Sequence, residues 1–247
     1  MIDNFDYIMS YRIFCGRLSD IELDTQNRLV INTLNPHSYI VASNDEIFSD
    51  ALNDSEIILP DGVGILIAAR LLNKRRIKKI SGADLHHFLL SKINESGGSI
   101  FYMGSSEKTL ELIKKKISKE FPNIRVGTYS PPFKPALSKA DNAEIIKEIN
   151  TFSPDILFIG MTAPKQEKWL HQNKDELNFK VASCIGAVFD FYAETVKRPS
   201  QIWINFHLEW LIRFLQEPRR LFYRNFISMP LFMYSIIKIL IKQYINR

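Results

Sequence analysis

The chain has 247 residues, of which 46% are hydrophobic, and carries a formal net charge of +5 at pH 7. This length and composition suit one large α/β domain, or a domain with an appendage, and leave ample material for a buried core. Cys15 and Cys184 stand alone, without a CxxC motif or a Cys and His cluster. Their spacing therefore excludes a disulfide framework and a zinc site.

In chain order, residues 1–7 contain Asp3 and Asp6 but no Lys or Arg, which is unlike a secretory signal and predicts a cytoplasmic location. Short β-branched or aromatic runs then predict strands at residues 28–34, 39–42, 56–59, 99–103, 125–128, 155–159 and 181–184. Helical patterns lie between them at residues 45–53, 64–72, 83–94, 107–121, 142–152 and 164–176. The alternation predicts a Rossmann-like, mostly parallel sheet with helices on both faces, formed by residues 1–197. A change of character near Arg198 marks the start of a C-terminal helical appendage, residues 198–247.

The basic character of the chain belongs to this C-terminal end. From Arg213 onward there are five Arg and two Lys against one acid, Glu217, a balance of +6. Aromatic residues interleave with these cations, which suits an anionic membrane surface. Nucleic acid is disfavoured, because the uncharged stretch 225–237 is bulky and apolar. That stretch is shorter than the roughly 20 apolar residues that span a bilayer, so we expect it to lie on a membrane. The alternative is an amphipathic helix pair packed on the protein's own core or on a partner subunit.

Ligands of parallel sheets bind at the carboxyl ends of the strands, where four predicted strands here end in polar or glycine-rich turns. These turns contain Thr33 and Asn35, residues 60–64, Gly104-Ser105-Ser106, and residues 160–167. Glycines and helix N-termini at such positions suit a nucleotide diphosphate. The absence of GxGxxG and Walker A sequences argues against a standard dinucleotide site or P-loop, and Gly104-Ser105-Ser106 equally fits an ordinary helix cap.

Asp61 is the sharpest chemical candidate among these residues. A carboxylate on a glycine-rich turn after a buried strand can accept a proton from a substrate hydroxyl, although it can equally be the N-cap of the next helix. For Gln166 and Glu167 the alternative is a solvated first helical turn. Asp190 and Glu194 lie four residues apart, a pair too common to predict a metal site, and the chain has no DxD sequence to hold a divalent ion.

Seven elements of the sequence occur in the order found in the WecG/TagA/CpsF glycosyltransferases, which the chain resembles from about Leu29 to Arg224. They are Thr33-Leu34-Asn35, Leu59-Pro60-Asp61-Gly62-Val63-Gly64, Ser81-Gly82-Ala83-Asp84-Leu85, Phe101-Tyr102-Met103-Gly104, Pro164-Lys165-Gln166-Glu167, Gly186-Ala187-Val188-Phe189-Asp190-Phe191, and Leu208-Glu209-Trp210-Leu211-Ile212-Arg213 with Glu217-Pro218-Arg219-Arg220. Each element alone is weak, but the ordered set is specific.

The resemblance implies a metal-independent, inverting transfer of a sugar, N-acetylmannosamine or a related one, from a UDP-sugar to an undecaprenyl-diphosphate-linked sugar such as GlcNAc. It places this reaction on the cytoplasmic face of the bacterial membrane, in teichoic acid, common antigen or exopolysaccharide synthesis. The family's catalytic aspartate falls on Asp61, and its site threonine and glutamine fall on Thr33 and Gln166. Neither the donor sugar nor the oligomeric state follows from the resemblance, and a homo-oligomer stays open.

Substrate binding is expected at further positions that match the family. The arginines that family members use from the appendage match Arg213, Arg220 and Arg224 here. Asn35, Gly62, Lys79 and Gly104 complete the expected set of substrate-binding residues. Two departures from the family pattern occur: Lys79 stands where many relatives carry Arg, which keeps the charge but loses the bidentate fork, and Glu194 stands where relatives often have Gly, followed by Arg198-Pro199-Ser200 instead of Arg-Ala-Pro.

Two other classes of function stay open at this point. A nucleotide-sugar epimerase or dehydrogenase on the same scaffold would need a nicotinamide site, against which the missing GxGxxG sequence argues. A non-catalytic scaffold that binds sugar nucleotides within a polysaccharide assembly complex would release no UDP when donor and acceptor are mixed.

Overall fold

A computed structural model describes residues 4–23, 27–196, 203 and 209–245 of the chain, without the side chains of Glu209, Arg213, Gln216 and Arg220. Residues 197–202, where the sequence predicts the boundary between core and appendage, lie outside the described residues, and so do Arg198, Pro199 and Ser200.

Within the described residues, eight strands form one sheet in the order β1-β2-β4-β3-β8-β7-β5-β6. The strands are β1 (Phe5–Ile8), β2 (Tyr11–Phe14), β3 (Leu29–Leu34), β4 (Ile57–Pro60), β5 (Ser99–Gly104), β6 (Arg125–Tyr129), β7 (Ile156–Gly160) and β8 (Val181–Cys184). Strand β1 pairs antiparallel with β2, and the other described pairings are parallel. The predicted mostly parallel sheet is confirmed.

Helices connect the strands and cover both faces of the sheet. They are α1 (Pro36–Ala42), α2 (Glu46–Asn53), α3 (Val63–Asn73), α4 (Gly82–Ser96), α5 (Glu107–Glu120), α6 (Lys139–Phe152), α7 (Lys165–Asn173), α8 (Val188–Tyr192), α9 (Glu209–Gln216), α10 (Pro218–Phe222), a π-helical turn (Tyr223–Ser228) and α11 (Met229–Ile245). Several begin at a side chain that the sequence supplies for that purpose: Ser81, Ser106 and Ser138 each accept a hydrogen bond from a backbone N–H of the first turn.

The strand predicted at residues 39–42 is wrong, because these residues form the second half of α1. Asn35 caps this helix through a hydrogen bond from the N–H of Ser38 to its side chain, and Pro36 occupies the first turn, where its missing N–H costs nothing. The aromatic and β-branched run Tyr39-Ile40-Val41 resembled a strand, but the two preceding residues decide for a helix. The hairpin β1–β2 has no counterpart in the prediction, since its strands are four residues each and carry Asp6 and Arg12.

The core lies on the two faces of the sheet. On one face Ile31 and Leu59 pack with side chains of α4, α5 and α8, including Leu89, Ile113 and Phe189. On the other face the strands pack in two clusters against α1, α2 and α3 and against α6 and α7. The helices α1 and α8, which follow the neighbouring strands β3 and β8, thus lie on opposite faces of the sheet.

The C-terminal helix belongs partly to this core. Phe232 and Ile236 are fully buried in the cluster that also contains Phe48 of α2 and Ile65 of α3. Residues Tyr223–Ile245 form a helical run of 23 residues, long and apolar enough by length and composition to cross a membrane. It is therefore longer than the stretch 225–237 considered from sequence, because the apolar pattern continues past Lys238. Its buried face nevertheless fixes it against the body of the protein.

Candidate functional site

The carboxyl ends of the parallel strands form one edge of the sheet, and the expected site residues lie there. Asp61 follows β4, Asn35 follows β3, Gly186 follows β8 by two residues, and Gln166 follows β7. Strands β4, β3, β8 and β7 are neighbours in the sheet. With strands spaced about 4.8 Å apart, the ends of β4 and β8 are separated by about 10 Å, the width of a sugar ring with its contacts.

The topology predicts a crevice at this edge between β3 and β8. After β3 the chain enters α1, whose Ile40 packs on the face that contains Phe48. After β8 it enters α8, whose Val188 and Phe189 pack on the opposite face. The two connections diverge, which is the arrangement at which open α/β sheets bind ligands.

Asp61 is held at this crevice by its backbone. Its N–H donates to the carbonyl of Leu34 at 2.9 Å, so the turn after β4 continues the pairing with β3. Gly62 then adopts φ +86°, a conformation that favours glycine, and α3 begins at Val63. The N-cap position of α3 is Gly62, which has no side chain to cap the helix. Asp61 is half-buried and precedes this position. The observed N-cap is Gly62, so the alternative that Asp61 is the N-cap of this helix is wrong.

Asn35 and Thr33 lie on the neighbouring strand end. The side-chain oxygen of Asn35 accepts from the Ser38 N–H at 3.0 Å, so its amide nitrogen is the group that could reach a ligand. Thr33 pairs in register with Leu59 and is half-buried. Lys79 precedes Ile80, whose N–H donates to the carbonyl of Pro60 at 2.9 Å. This bond places the lysine alongside the residue that precedes Asp61.

Gln166 and Glu167 are buried, with exposed fractions of 4% and 7%, so the alternative of a solvated first turn is wrong. The Oε1 atom of Gln166 accepts from the Met161 N–H at 3.2 Å, and its Nε2 donates to Oε1 of Glu167 at 2.8 Å. Both ends of the amide are thereby oriented, and one Nε2 hydrogen is left for another acceptor. A Cβ on Gly186 would lie 3.5 Å from Gln166 Oε1, so the amide packs against the turn after β8.

Glu167 lies beside Gln166 at this edge, although it was not among the site residues predicted from the sequence. Among the described residues its Oε2 atom is buried without a hydrogen-bond partner. Burial raises the pKa of Glu167 to about 7, against the smaller opposing effect of the Gln166 hydrogen bond. In the sequence, only its position beside Gln166 could have pointed to Glu167 as a site residue. An acid in a first helical turn is ordinarily exposed, so its burial was not expected.

Gly104 ends β5, and the helices that follow β5 and β7, namely α5 and α7, also lie on opposite faces of the sheet. At this second point, however, the ends of the two strands pack closely together. It has φ +122°, and a Cβ at this position would lie 2.4 Å from the carbonyl oxygen of Gly160. The N–H of Ser105 also donates to that oxygen at 3.0 Å. This close packing accounts for the glycine, and its contact with substrate stays a prediction.

The C-terminal segment reaches the same edge beside Asp61. A Cβ on Gly64 would lie 2.4 Å from Pro36 Cγ, 3.3 Å from Phe232 and 3.4 Å from Met229, so the start of α3 is wedged between α1 and α11. His37 bonds to Ser228 at 2.8 Å. Burial lowers the pKa of His37, and the charge of Arg224 lowers it further. The ring of Tyr223, the residue before Arg224, lies 6.1 Å from the His37 ring between centroids, so Arg224 is carried by the turn that contacts α1.

The structure thus brings Thr33, Asn35, Asp61, Gly62, Lys79 and Gln166 to neighbouring strand ends, with Arg224 at the adjoining helix. The side chains of Arg213 and Arg220 lie outside the described residues. The acids Asp190 and Glu194 do not converge on this edge as a metal pair: Glu194 is exposed and forms an ion pair with Lys116. In the described part of the chain, no group of three or more His, Cys, Asp or Glu side chains could hold a metal ion.

Comparison with known proteins gives a consistent result. The family model described as "Glycosyl transferase WecG/TagA/CpsF family" matches residues 10–246. A Bacillus subtilis protein named N-acetylglucosaminyldiphosphoundecaprenol N-acetyl-beta-D-mannosaminyltransferase is 31% identical over 238 residues, which cover 96% of this chain and 90% of that protein. A protein of the same name in Bacillus spizizenii is 28% identical over 96% of this chain and 90% of that protein. Another in Staphylococcus aureus is 26% identical over 86% of this chain and 81% of that protein.

Proposed function

The chain belongs to the glycosyl transferase WecG/TagA/CpsF family, and we propose that it transfers N-acetylmannosamine from a UDP-sugar to an undecaprenyl-diphosphate-linked GlcNAc. The names of its relatives support both the transferred sugar and the acceptor. The crevice between β3 and β8 supports a nucleotide-linked donor, because its strand ends and diverging helices suit such a ligand.

The observation that carries the proposal is the position of Asp61 at this crevice, next to the segment that contains Arg224. In the reaction the hydroxyl oxygen of the acceptor attacks the anomeric carbon of the donor, and the bond to the UDP oxygen breaks. Asp61 accepts the hydroxyl proton as that bond forms. A single displacement of this kind inverts the configuration at the anomeric carbon.

Gln166 and Asn35 are proposed to position the sugars between the strand ends. Each has its side-chain oxygen engaged by a backbone N–H and offers an amide nitrogen as a donor. Groups that are fixed in this way lose little conformational entropy when a substrate binds, so they hold the reacting atoms in line. Thr33 lies on β3, the strand that Asn35 follows and that pairs with β4, and we assign it a supporting contact to the same sugar.

The departing UDP carries two phosphates, whose developing charge requires cations or amide dipoles. We propose that Arg224, with Arg213 and Arg220, supplies forked and permanently charged contacts to phosphate oxygens. Lys79 adds a further cation near the end of β4.

The C-terminal helix is proposed to hold the protein on the inner face of the cell membrane, beside its lipid-linked acceptor. Apolar residues lie on its exposed side: Leu231, Tyr234, Ile237, Ile241, Tyr244 and Ile245. Lys238 and Lys242 are exposed on the same helix. Apolar burial combined with attraction to anionic lipid headgroups would hold such a helix in the plane of the interface.

The experiment that tests the proposal supplies the protein with UDP-N-acetylmannosamine and a short-chain prenyl-diphosphate-linked GlcNAc. We expect release of UDP and a product whose mass equals that of the acceptor plus one N-acetylhexosamine residue. A panel of other UDP-sugars serves as the control for donor choice. Binding of UDP-sugar without UDP release would contradict the proposal and favour the non-catalytic scaffold.

A further inference from the structure

The described part of the chain contains a hydrogen bond between two side chains that are 191 residues apart. His37 Nδ1 and Ser228 Oγ are separated by 2.8 Å, and the residue Ser228 is fully buried. His37 lies in the first turn of α1, two residues after Asn35. The bond therefore connects the C-terminal segment to the strand end that forms one wall of the crevice.

The segment that His37 contacts has an unusual backbone. Residues Tyr223–Ser228 form a π-helical turn between α10 and α11, a conformation that is rare and often occurs at functional sites. The ring of Tyr223 meets the ring of His37 edge to face at a centroid distance of 6.1 Å. Arg224 is the next residue, and its charge acts on His37. The histidine thus interacts with both ends of this turn and with the arginine in it.

We propose that His37 and Ser228 are positioning residues that hold Arg224 at the mouth of the crevice. This inference rests on the proposed function in one respect, namely that Arg224 contacts the phosphates of the donor. Helix α11 itself is anchored by Phe232 and Ile236, so the His37–Ser228 bond is not needed to keep the helix on the body. It instead fixes the turn that precedes the helix, where the arginine is carried.

The chemistry of the pair suits this role. In neutral imidazole Nδ1 either accepts a hydrogen bond from the Ser228 hydroxyl or donates its N–H to the hydroxyl oxygen, so the bond can form in either tautomer. A second cation beside Arg224 is disfavoured, which agrees with the lowered pKa of His37. A neutral His37 forms no ion pair with Arg224, so the guanidinium can interact with an anionic ligand.

The first test uses the full-length protein and needs no substrate. Amide hydrogen exchange of residues 223–228 is measured in the wild type, His37→Ala, Ser228→Ala and the control Ser235→Ala. The Ser235 hydroxyl bonds only to the carbonyl of Leu231 within its own helix, as far as the described contacts show, at 2.9 Å. We expect exchange in this turn to rise about fivefold in the first two variants, which corresponds to the loss of one neutral hydrogen bond, and to stay at the wild-type value in the control. Unchanged exchange in both variants would overturn the proposal.

The second test measures transfer with a soluble acceptor. His37→Ala and Ser228→Ala should each lower kcat/KM for the donor about fivefold, and the double variant should lower it no further. His37→Asn, whose amide places a polar atom near the Nδ1 position, should restore most of the loss. In an Arg224→Ala background His37→Ala should have no further effect, since the histidine acts through the arginine.

The outcomes separate the positioning role from the function itself. An additive effect of His37→Ala in the Arg224→Ala background would overturn the positioning role while leaving the transferase intact. If the wild type transfers no sugar to any acceptor, the proposed function fails, and the exchange measurement alone then decides whether the bond fixes the turn. Ser228→Ala removes only a buried hydroxyl, so it remains informative if His37→Ala does not fold.

Discussion

The α/β body and the C-terminal helical segment meet at one edge of the sheet and contribute opposite chemistry to it. The body provides a carboxylate and amides, of which Asp61 and Gln166 are held by strand ends and backbone hydrogen bonds. The segment provides a guanidinium, that of Arg224, and an apolar surface. It is attached through one buried helix face and through the His37–Ser228 bond.

This difference suggests that the α/β body and the C-terminal segment have separate roles. The proton acceptor, Asp61, belongs to the body, and the cation, Arg224, belongs to the segment. The segment is proposed to complete the site for any acceptor and, in addition, to bind the membrane surface. The predictions below test this division by changing one side of it at a time.

The largest effect is expected from Asp61→Asn, which keeps the shape of the side chain and removes the base. We expect kcat for sugar transfer to fall about 10³-fold, since general-base catalysis contributes factors of this order. Binding of UDP measured by calorimetry should stay within about twofold of the wild type. Asp50→Asn, at an exposed position of α2, is the matched control. Transfer by Asp61→Asn at the wild-type rate would remove the aspartate from the mechanism.

A second prediction concerns the buried carboxyl beside Gln166. The pKa of Glu167 in the folded protein is about 7, above its ordinary value of 4.5, so the folded state binds this proton more tightly than the unfolded chain. The associated stability is present below about pH 4.5 and is lost as pH rises to about 7, by about 3 kcal/mol in total.

Glu167→Gln should remove this dependence while keeping an acceptor for the Gln166 amide. Urea unfolding at pH 5 and pH 8 should therefore show the wild type losing about 2.5 kcal/mol more than the variant between the two pH values. Equal losses in both proteins would mean that Glu167 is ionised and solvated in the folded state.

The smallest effect is expected on the exposed face of α11. Ile241→Asp should weaken binding to phosphatidylglycerol vesicles about tenfold, because one large apolar side chain is kept out of the interface. Turnover with a soluble acceptor should not change, since Ile241 is 54% exposed and lies two turns beyond the buried Phe232. Vesicle binding equal to that of the wild type would place the membrane contact elsewhere on the protein.

The sequence predicts the sheet well where strand and turn signals coincide. Strands β3, β4, β5 and β7 each end in Gly or Pro, or are followed directly by Asn-Pro, after an apolar run, so their carboxyl ends could be located. Because those ends lie at one edge, the neighbourhood of Thr33, Asn35, Asp61 and Gln166 followed from topology. The run at residues 39–42 shows the limit of this approach, because a cap at Asn35 outweighed the β-branched pattern.

The rest depends on contacts that no local pattern encodes. Burial of Glu167 is invisible in a sequence, since it arises from packing of α7 against β8 and neighbouring elements. The approach of Arg224 to α1 depends on Phe232 and Ile236 seating α11 in the core. The sequence showed that this end of the chain is cationic and apolar, but not which of its faces is buried.

The most direct test of the divided site compares two arginines of the same segment. Arg224→Ala and Arg219→Ala remove the same charge, but Arg219 is exposed on α10 and is not among the residues assigned to the site. With a short-chain acceptor in the absence of vesicles, the account predicts that Arg224→Ala lowers kcat about 100-fold and that Arg219→Ala leaves it unchanged. Wild-type turnover in both variants, or an equal loss in both, would contradict the claim that the C-terminal segment completes the catalytic site.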